Sequence, residues 1–386
     1  MKRFAPFSKP LGIIYGIALL AGSAVGALIP TASAHMSREG LSDAWIGFLS
    51  SAFFLLMALG SVRAERIMAG RDVSFGVMAG LLVTASCAAV FPFVHDRWIW
   101  LVLMSLMGTG IGFNMVGVQT ALHRFSTEQS RSANSGIYSL LFAVGFIAAS
   151  SAGPAVYARI HWIVFSFGAG CLVLAALLVR LRLKDRLVLE AAPRRTASGR
   201  IRIPLFGAFL YGFSETTVIS LYPVFLLNEG FEVGRIGLAL GVFALGCVAG
   251  TVPVTVLADR LGRRRLLAGS VAVSILALLG IMASEPFWLV AVFSFLAGFV
   301  VGPVYPLTMS LVPDGLRDEE IASGMAMFTL FYGLGSAAGP FLSSVAMSLF
   351  GNRHLFLLSL ILSVLFLVQM LAAGKRERMG VHSAAR

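Results

Sequence analysis

The chain has 386 residues, of which 58% are hydrophobic and only 12% are charged, and its formal net charge is +12. Soluble domains carry about 25% charged residues, so the composition excludes a chain of soluble domains and indicates an integral membrane protein. The basic residues lie in short segments between apolar runs, without a basic helix face or interleaved aromatic residues. That pattern argues against a nucleic-acid partner and leaves the lipid bilayer as the expected partner.

Apolar runs along the chain predict twelve membrane-spanning helices, since a helix needs about 20 apolar residues to cross the hydrocarbon core. Run length and the lack of strict alternation favour helices over barrel strands. The fold class expected is therefore an all-α membrane protein with 12 transmembrane helices. The predicted spans are residues 11–30, 44–62, 73–92, 98–121, 134–156, 161–179, 203–228, 235–257, 266–284, 287–312, 322–349 and 354–373.

The first apolar run also has features of a secretory signal. It is preceded by Met1 to Arg3, of which two residues are basic, and Thr31 to Ala34 provide a small-residue cleavage site. The run is about 20 residues long, which exceeds a typical signal core, and it has a counterpart in the second half of the chain. We expect it to be retained as the first membrane helix.

The basic residues also predict the topology, because Lys and Arg accumulate in cytoplasmic loops. With a cytoplasmic N-terminus, all but five of the 30 Lys and Arg fall on the cytoplasmic side; the exceptions are Arg38, Arg97, Arg159, Arg235 and Arg353. The tryptophans then form a belt near the external helix ends, comprising Trp45, Trp98, Trp100, Trp162 and Trp288. Both signals predict cytoplasmic N- and C-termini and a multi-pass protein of the cytoplasmic (inner) membrane.

A basic segment, residues 180–202, separates six predicted spans from six others. The two halves repeat each other at an offset of about 190 residues, with Gly108 and Gly112 opposite Gly298 and Gly302. Parallel six-helix repeats are typical of transporters whose substrate site lies near mid-membrane. The expected domains are an N-terminal six-helix bundle at 1–179, a cytoplasmic basic linker at 180–202 and a C-terminal six-helix bundle with a short cytoplasmic tail at 203–386.

The segment from Ala258 to Arg265 reads A-D-R-L-G-R-R-R and follows the eighth predicted span. Its D-R-x-G-R-R pattern resembles the loop signature of the major facilitator superfamily, and together with the twelve spans the resemblance covers essentially the whole chain. The resemblance implies a latch that holds one gate state; the alternative is a loop that only anchors the topology. The loop residues concerned are Asp259, Arg260, Gly262, Arg263 and Arg264, with Glu65 and Arg66 in a degenerate first-half copy.

Within that superfamily, the second half resembles small bacterial YcaD-type and drug or sugar efflux-like members. The similarity rests on Tyr211 to Glu215, Leu221 to Pro223, the 258–265 loop and Gly302 to Pro306. Two departures weaken the case for drug–proton antiport: the fourth predicted helix has no basic residue, and Ala149 stands where the motif G-x-x-x-G-P has its first glycine. Gly335 to Pro340 fits that spacing in the eleventh helix, where tight packing and a kink also explain it.

Glu215 is the one acidic residue expected in the middle of a span, twelve residues into the seventh. A carboxylate at bilayer depth costs roughly 2.5–3.5 kcal/mol on insertion scales, a cost that is usually tolerated for function. Burial there favours the protonated form, which suits a residue that couples transport to protons or binds substrate. The alternative is a structural glutamic acid bonded to Tyr211, one helical turn away, or to a backbone carbonyl.

Aromatic and amide residues provide the remaining candidates for a substrate cavity. Tyr211 and Tyr222 share a helix face with Glu215, and a face of aromatic rings with a carboxylate suits an amphipathic or cationic molecule; core packing explains these tyrosines equally well. The resemblance places the first, fourth and tenth helices along the cavity. Their candidate residues are Tyr15, Phe113, Asn114 and Tyr305.

The function that these observations favour is proton-coupled export of an amphipathic or cationic small molecule by alternating access. Proton-coupled uptake or facilitated import of a nutrient is the alternative with the same fold, and a sensor or scaffold without transport is the alternative of another class. The protein is expected to be monomeric.

No cofactor, metal site or enzymatic activity is expected. The six histidines fall in predicted loops and the tail, no P-loop is present, and the three cysteines have no metal-ligand spacing.

Overall fold

The computed structural model describes residues 9–68, 73–126, 131–182 and 201–384, and within these ranges it is helical without strands. Most of the predicted linker therefore lies outside the described residues. Short 3₁₀ turns occur at Phe91–Phe93, Pro313–Gly315 and Asn352–His354. The α-helices are α1 (Lys9–Arg38), α2 (Asp43–Met68), α3 (Val73–Val90), α4 (Arg97–Phe125), α5 (Arg131–Arg159), α6 (His161–Arg182), α7 (Arg202–Asn228), α8 (Val233–Leu261), α9 (Arg263–Ala283), α10 (Phe287–Val301), α11 (Val304–Ser310), α12 (Asp318–Phe350) and α13 (Leu357–Ala384).

Among the described residues, twelve segments are long and apolar enough to cross a membrane, so the prediction of twelve spans is confirmed. The first span is longer than predicted and covers Pro10–Arg38, because α1 continues through Pro30 without a break. The tenth span, Phe287–Ser310, was predicted as one run but consists of α10 and α11. Pro303 explains this interruption, because it cannot donate a backbone hydrogen bond to the preceding helical turn.

The helices form two compact units. In the first unit, α1 packs against α5 and α6, α2 packs against α4, and α3 packs against α4 and α6. In the second unit, α9 packs against α10 and α13. The first unit comprises Met1–Ala192 and Val218–Gly241, and the second comprises Pro193–Thr217 and Val242–Arg386.

The later part of α7 and the first part of α8 thus belong to the first unit. A Cβ atom on Gly237 would clash with the backbone carbonyl of Ser151, and one on Gly241 would clash with the Ser151 side chain. The amide of Asn228 donates to the carboxylate of Asp43 at 3.3 Å. Small residues therefore allow α8 to approach α5 closely in this unit, as small residues commonly do between membrane helices.

The glycine repeat in the sequence corresponds to a repeated helix packing. In the first unit, a Cβ atom on Gly108 of α4 would clash with the carbonyl oxygen of Phe53 of α2; in the second, one on Gly298 of α10 would clash with the carbonyl oxygen of Phe243 of α8. Gly108 and Gly298 are separated by the repeat offset of about 190 residues, and so are Phe53 and Phe243. The next helical turn shows the same correspondence, between Gly112 and Met57 and between Gly302 and Cys247.

Within the second unit, α7 and α12 approach each other through glycines on both helices. A Cβ atom on Gly212 would clash with the carbonyl oxygen of Tyr332, and one on Gly335 would clash with that of Phe209. The glycines of the eleventh-helix motif therefore serve close packing, which is the structural explanation considered for them above. This contact determines which side chains meet beside Glu215.

Candidate functional site

The carboxylate of Glu215 lies in α7 of the second unit and accepts two hydrogen bonds from tyrosines. The hydroxyl of Tyr211 donates to Oε1 at 3.1 Å, and the hydroxyl of Tyr332 donates to Oε2 at 2.8 Å. All three side chains are partly buried, so the cluster is not sealed inside the unit. Each carboxylate oxygen thus has its own hydroxyl donor.

The local sequence explains why these groups meet. Tyr211 precedes Glu215 by four residues, so both lie on the same face of α7. Tyr332 comes from α12 and reaches the carboxylate because Gly212 lets the two helices approach at the carbonyl of Tyr332 itself. The carboxylate is therefore held both from within its own helix and from a neighbouring one.

Aromatic rings surround the two tyrosines that hold Glu215. The ring of Tyr305, in α11, lies 5.3 Å from that of Tyr211 and 5.5 Å from that of Tyr332, measured between centroids. Phe328 of α12 adds a further ring 5.3 Å from Tyr305. We refer to Glu215, Tyr211, Tyr305, Tyr332 and Phe328 as the Glu215 cluster.

The helices that form the cluster contribute no basic side chain that could neutralise the Glu215 carboxylate. After Arg202, the sequence of α7 contains no Lys or Arg, and α11 and α12 contain none. The negative charge depends on two neutral hydroxyl donors, which stabilise a carboxylate less than an ion pair with good geometry does. Such a group is suited to binding a proton or an organic cation.

Protonation of Glu215 changes the strength of its hydrogen bonds. Each carboxylate oxygen has a second lone pair, so a proton can be added while Tyr211 and Tyr332 remain donors. The proton removes the negative charge that both hydroxyls contact, and hydrogen bonds to a neutral acid are weaker than those to a carboxylate. The protonation state of Glu215 is thereby linked to the contact between α7 and α12.

The other predicted cavity residues lie elsewhere. Tyr15 is buried in the first unit, where its hydroxyl donates to Oδ1 of Asn134 at 3.1 Å. Tyr222 also belongs to the first unit; it is 1% exposed and stacks on Phe225. These contacts give both tyrosines a packing role.

The two adjacent candidates in α4 differ from each other. Phe113 is partly buried beside Gly76 and Gly80 of α3. Asn114 is 3% exposed, and its Oδ1 has no hydrogen-bond partner among the described residues. An amide oxygen without a partner is unusual for a buried group and keeps Asn114 a candidate for substrate binding.

The loop between α8 and α9 is described in part. Gly262 caps α9 with φ at +96°, a conformation that favours glycine. Nη1 of Arg263 donates to the carbonyl of Ser310 at 3.3 Å, at the C-terminal end of α11, where a cation is electrostatically favoured. Arg260 and Arg264 are exposed. The side chains of Asp259, Glu65 and Arg66 lie outside the described residues.

The sequence alone did not identify the roles of two residues, Tyr332 and His35. Tyr332 was not considered, although it is a mid-helix tyrosine one turn before Gly335 in a chain with seven tyrosines. His35 was placed in a loop, but it lies in α1 and is 3% exposed. Trp100, assigned to the interfacial belt, is fully buried beside His35. The longer α1 accounts for the error about His35, because it carries this residue into the helix.

The family model described as Major Facilitator Superfamily matches residues 14–202 and 204–384. Among curated proteins, the uncharacterized MFS-type transporter YfkF of Bacillus subtilis is 28% identical, with 97% of each chain covered. The uncharacterized MFS-type transporter YcaD of Escherichia coli is 22% identical, with 95% of this chain and 96% of YcaD covered. The crystal structure of the nucleoside transporter NupG superimposes with a TM-score of 0.79 at 13% identity, covering 95% of this chain and 99% of NupG, and shows the shared fold.

Proposed function

Because the chain belongs to the major facilitator superfamily, whose members are transporters and not enzymes, we propose that it is a proton-coupled exporter of an amphipathic or cationic small molecule. The observation that carries the proposal is the Glu215 carboxylate, held by two tyrosine hydroxyls without a basic partner from the helices of its cluster. In this proposal Glu215 binds either a proton or the cation, and the two exclude each other.

Mutual exclusion at one carboxylate gives coupled exchange when the site changes sides only while one of the two ligands is bound. A proton on Glu215 removes the negative charge that attracts the cation, and a bound cation disfavours protonation of the same group. When the site opens to the two sides of the membrane in turn, each passage carries one of the two ligands. The gradients then decide the direction of net transport, and an inward proton gradient favours export of the cation.

The aromatic members of the cluster support the choice of a cationic substrate. Tyr211, Tyr305 and Tyr332 lie within ring-contact distance of one another around the carboxylate. An organic cation over the face of such rings gains about 0.5–2 kcal/mol, with more gained as water is excluded. A substrate with an apolar body and a single positive charge satisfies both the rings and the acid.

The cellular arrangement belongs to the same proposal. The distribution of Lys and Arg favours cytoplasmic termini and insertion in the inner membrane as a monomer of two six-helix bundles, 1–179 and 203–386, joined by the linker 180–202. The α8–α9 loop then faces the cytoplasm. There the bond from Arg263 to Ser310 holds α9 against the end of α11 and is suited to stabilising one gate state.

Transport into energised inverted membrane vesicles tests the function. Ethidium and tetraphenylphosphonium serve as cationic probes, and wild type is compared with Glu215→Gln and with the control Tyr305→Phe at matched expression. The ring of Tyr305 contacts the other tyrosines, but its hydroxyl makes no hydrogen bond among the described residues. We expect wild type and Tyr305→Phe to accumulate a probe only with a proton gradient, and Glu215→Gln to accumulate none.

Two results would contradict the proposal. Equal accumulation by wild type and Glu215→Gln would reduce Glu215 to a structural acid. Accumulation by wild type in right-side-out vesicles alone would show import and favour the uptake alternative.

A further inference from the structure

A second titratable side chain is enclosed in the first unit, and the proposed transport mechanism does not use it. His35 lies near the C-terminal end of α1 and is 3% exposed. It lies at the end of the unit where α1 is followed by α2 and α5 is followed by α6. On the predicted topology this is the external end.

Four aromatic rings form a box around the imidazole. Their centroids lie between 5.6 and 6.1 Å from that of His35, and three of the four are oriented edge-to-face. The rings come from four different parts of the unit, so the box depends on the tertiary fold. They are Phe91 in the 3₁₀ turn after α3, Trp100 in α4, Tyr157 in α5 and Phe165 in α6.

The two nitrogens of the ring have different surroundings. Nδ1 lies 2.8 Å from the hydroxyl oxygen of Tyr157. Nε2 is buried and has no hydrogen-bond partner among the described residues. One turn earlier on α1, the hydroxyl of Thr31 is also buried without a partner in the described part of the chain. A Cβ atom on Gly153 would meet that hydroxyl only at van der Waals distance, 3.7 Å, so this side of the box is not tightly filled.

Charged and titratable groups around the box come from three elements besides the aromatic residues. Arg38 and Glu39 follow on the same chain segment as His35, His95 precedes α4, and His161 begins α6; all four interact electrostatically with the imidazole. The guanidinium of Arg38 lies 5.2 Å from the centre of the Tyr157 ring. The carboxylate of Glu39 contacts Nδ1 of His95 at 2.8 Å.

We propose that His35 is a second proton-binding site of this protein, in which the aromatic box of the first unit accommodates the imidazolium and Nε2 receives the proton. The geometry permits this without breaking a hydrogen bond. When Nδ1–H donates to Tyr157, Nε2 has a lone pair that no group among the described residues occupies, and the added N–H is then a donor without an acceptor in the described structure. Aromatic rings whose faces lie within about 6 Å of a cation stabilise it electrostatically. Burial disfavours the imidazolium, as do the like charges of His161, His95 and Arg38, whereas Glu39 favours it, so the rings and Glu39 together have to offset that cost. Solvent at this end of the unit supplies the proton.

Nuclear magnetic resonance of the full-length protein in lipid nanodiscs tests the site directly. The protein is labelled with ¹³C,¹⁵N-histidine, and the spectra of wild type and His35→Gln are compared from about pH 5 to about pH 8, the range in which histidines titrate. We expect the resonance that disappears in His35→Gln to move from the neutral to the charged imidazole shift within this range. A resonance that keeps one neutral tautomer throughout would overturn the proposal.

Two further variants keep the test decisive. If His35→Gln does not fold, the resonance is identified instead in a variant in which the other five histidines, His95, His123, His161, His354 and His382, are replaced by glutamine. Tyr157→Phe keeps the box but removes the bond to Nδ1, and we expect it to shift the titration midpoint of the His35 resonance. An unchanged midpoint would contradict the assigned contact. None of these readouts involves Glu215 or solute transport, so the proposal stands or fails independently of the proposed function.

Discussion

The Glu215 cluster of the second unit and the His35 box of the first unit combine the same kinds of residue in opposite ways. Both oxygens of Glu215 are occupied by tyrosine hydroxyls, and the cluster is partly exposed. His35 is enclosed, and one of its ring nitrogens has no partner among the described residues. Protonation weakens the two hydrogen bonds that Glu215 already accepts, whereas Nε2 of His35 has no hydrogen bond in the described structure to weaken.

This difference determines what each site can do. A proton on Glu215 weakens the hydrogen bonds from Tyr211 and Tyr332, and because Tyr332 belongs to α12 the event alters a contact between helices. A proton on His35 changes the charge in the box but leaves the bond to Tyr157 in place. We therefore expect Glu215 to couple protonation to conformation and substrate, and His35 to bind protons without driving transport.

The largest expected effect is the difference in transport rate between a variant of Glu215 and a variant of His35. Glu215→Gln should reduce proton-dependent transport of a cationic probe by about tenfold or more, equivalent to about 1.4 kcal/mol or more, because the amide cannot take up a proton. His35→Gln should reduce it by less than about threefold, or about 0.7 kcal/mol. Initial rates in vesicles at matched expression provide the measurement. A loss in His35→Gln as large as that in Glu215→Gln would break the comparison.

The next effect concerns the packing that brings Tyr332 to Glu215. Gly212→Ala places a Cβ atom against the carbonyl of Tyr332, and overpacking of this kind costs about 1–3 kcal/mol. Gly170→Ala in the first unit is the matched control, because its Cβ atom would meet nothing within 4 Å. Thermal unfolding in detergent should show a lower midpoint for Gly212→Ala and an unchanged or higher one for Gly170→Ala. Equal midpoints would show that α7 and α12 do not depend on this glycine.

Removing one hydroxyl from the Glu215 cluster should have a smaller effect. Tyr332→Phe deletes the donor to Oε2, and a net hydrogen-bond contribution of about 1 kcal/mol corresponds to about a fivefold loss of transport. Tyr305→Phe retains its ring and loses no hydrogen bond found in the described structure, so its transport should stay within about twofold of wild type. Equal losses in both variants would argue against a specific role for the Tyr332 bond.

The smallest expected effects come from two buried threonines. The hydroxyl of Thr216 donates to the carbonyls of Gly212 and Ser336, so Thr216→Val should cost about 0.6–1 kcal/mol. The hydroxyl of Thr31 has no partner in the described chain and therefore carries a desolvation penalty, so Thr31→Val should leave stability unchanged or raise it. Unfolding midpoints of the two variants under identical conditions provide the comparison. The reverse order would show that Thr31 has a polar partner that stabilises the first unit.

The helical architecture was predictable because apolar run length reports directly on membrane spans. Local sequence also identified Glu215 and its contact with Tyr211, since both are properties of one helix face. The break at Pro303 was visible in principle, but run length alone merged α10 and α11 into one span.

The rest of the cluster was not predictable, because it depends on how distant helices meet. Tyr332 lies 117 residues from Glu215, and only the close approach at Gly212 brings them together. The box around His35 likewise draws its rings from four separate elements, so no local pattern marks them as neighbours. Tyr222, in contrast, shares a helix with Glu215, yet it packs in the first unit.

The central claim is that a cation and a proton compete for Glu215, and proton release on binding tests it most directly. Tetraphenylphosphonium is added to purified wild-type protein in weakly buffered detergent solution, at several pH values between about pH 5 and about pH 8. The protons released and the cation bound are measured in the same sample. The account predicts that wild type releases up to one proton for each bound cation, that Tyr305→Phe behaves similarly, and that Glu215→Gln releases none. Binding to wild type without proton release at any of these values, or equal release from Glu215→Gln, would contradict it.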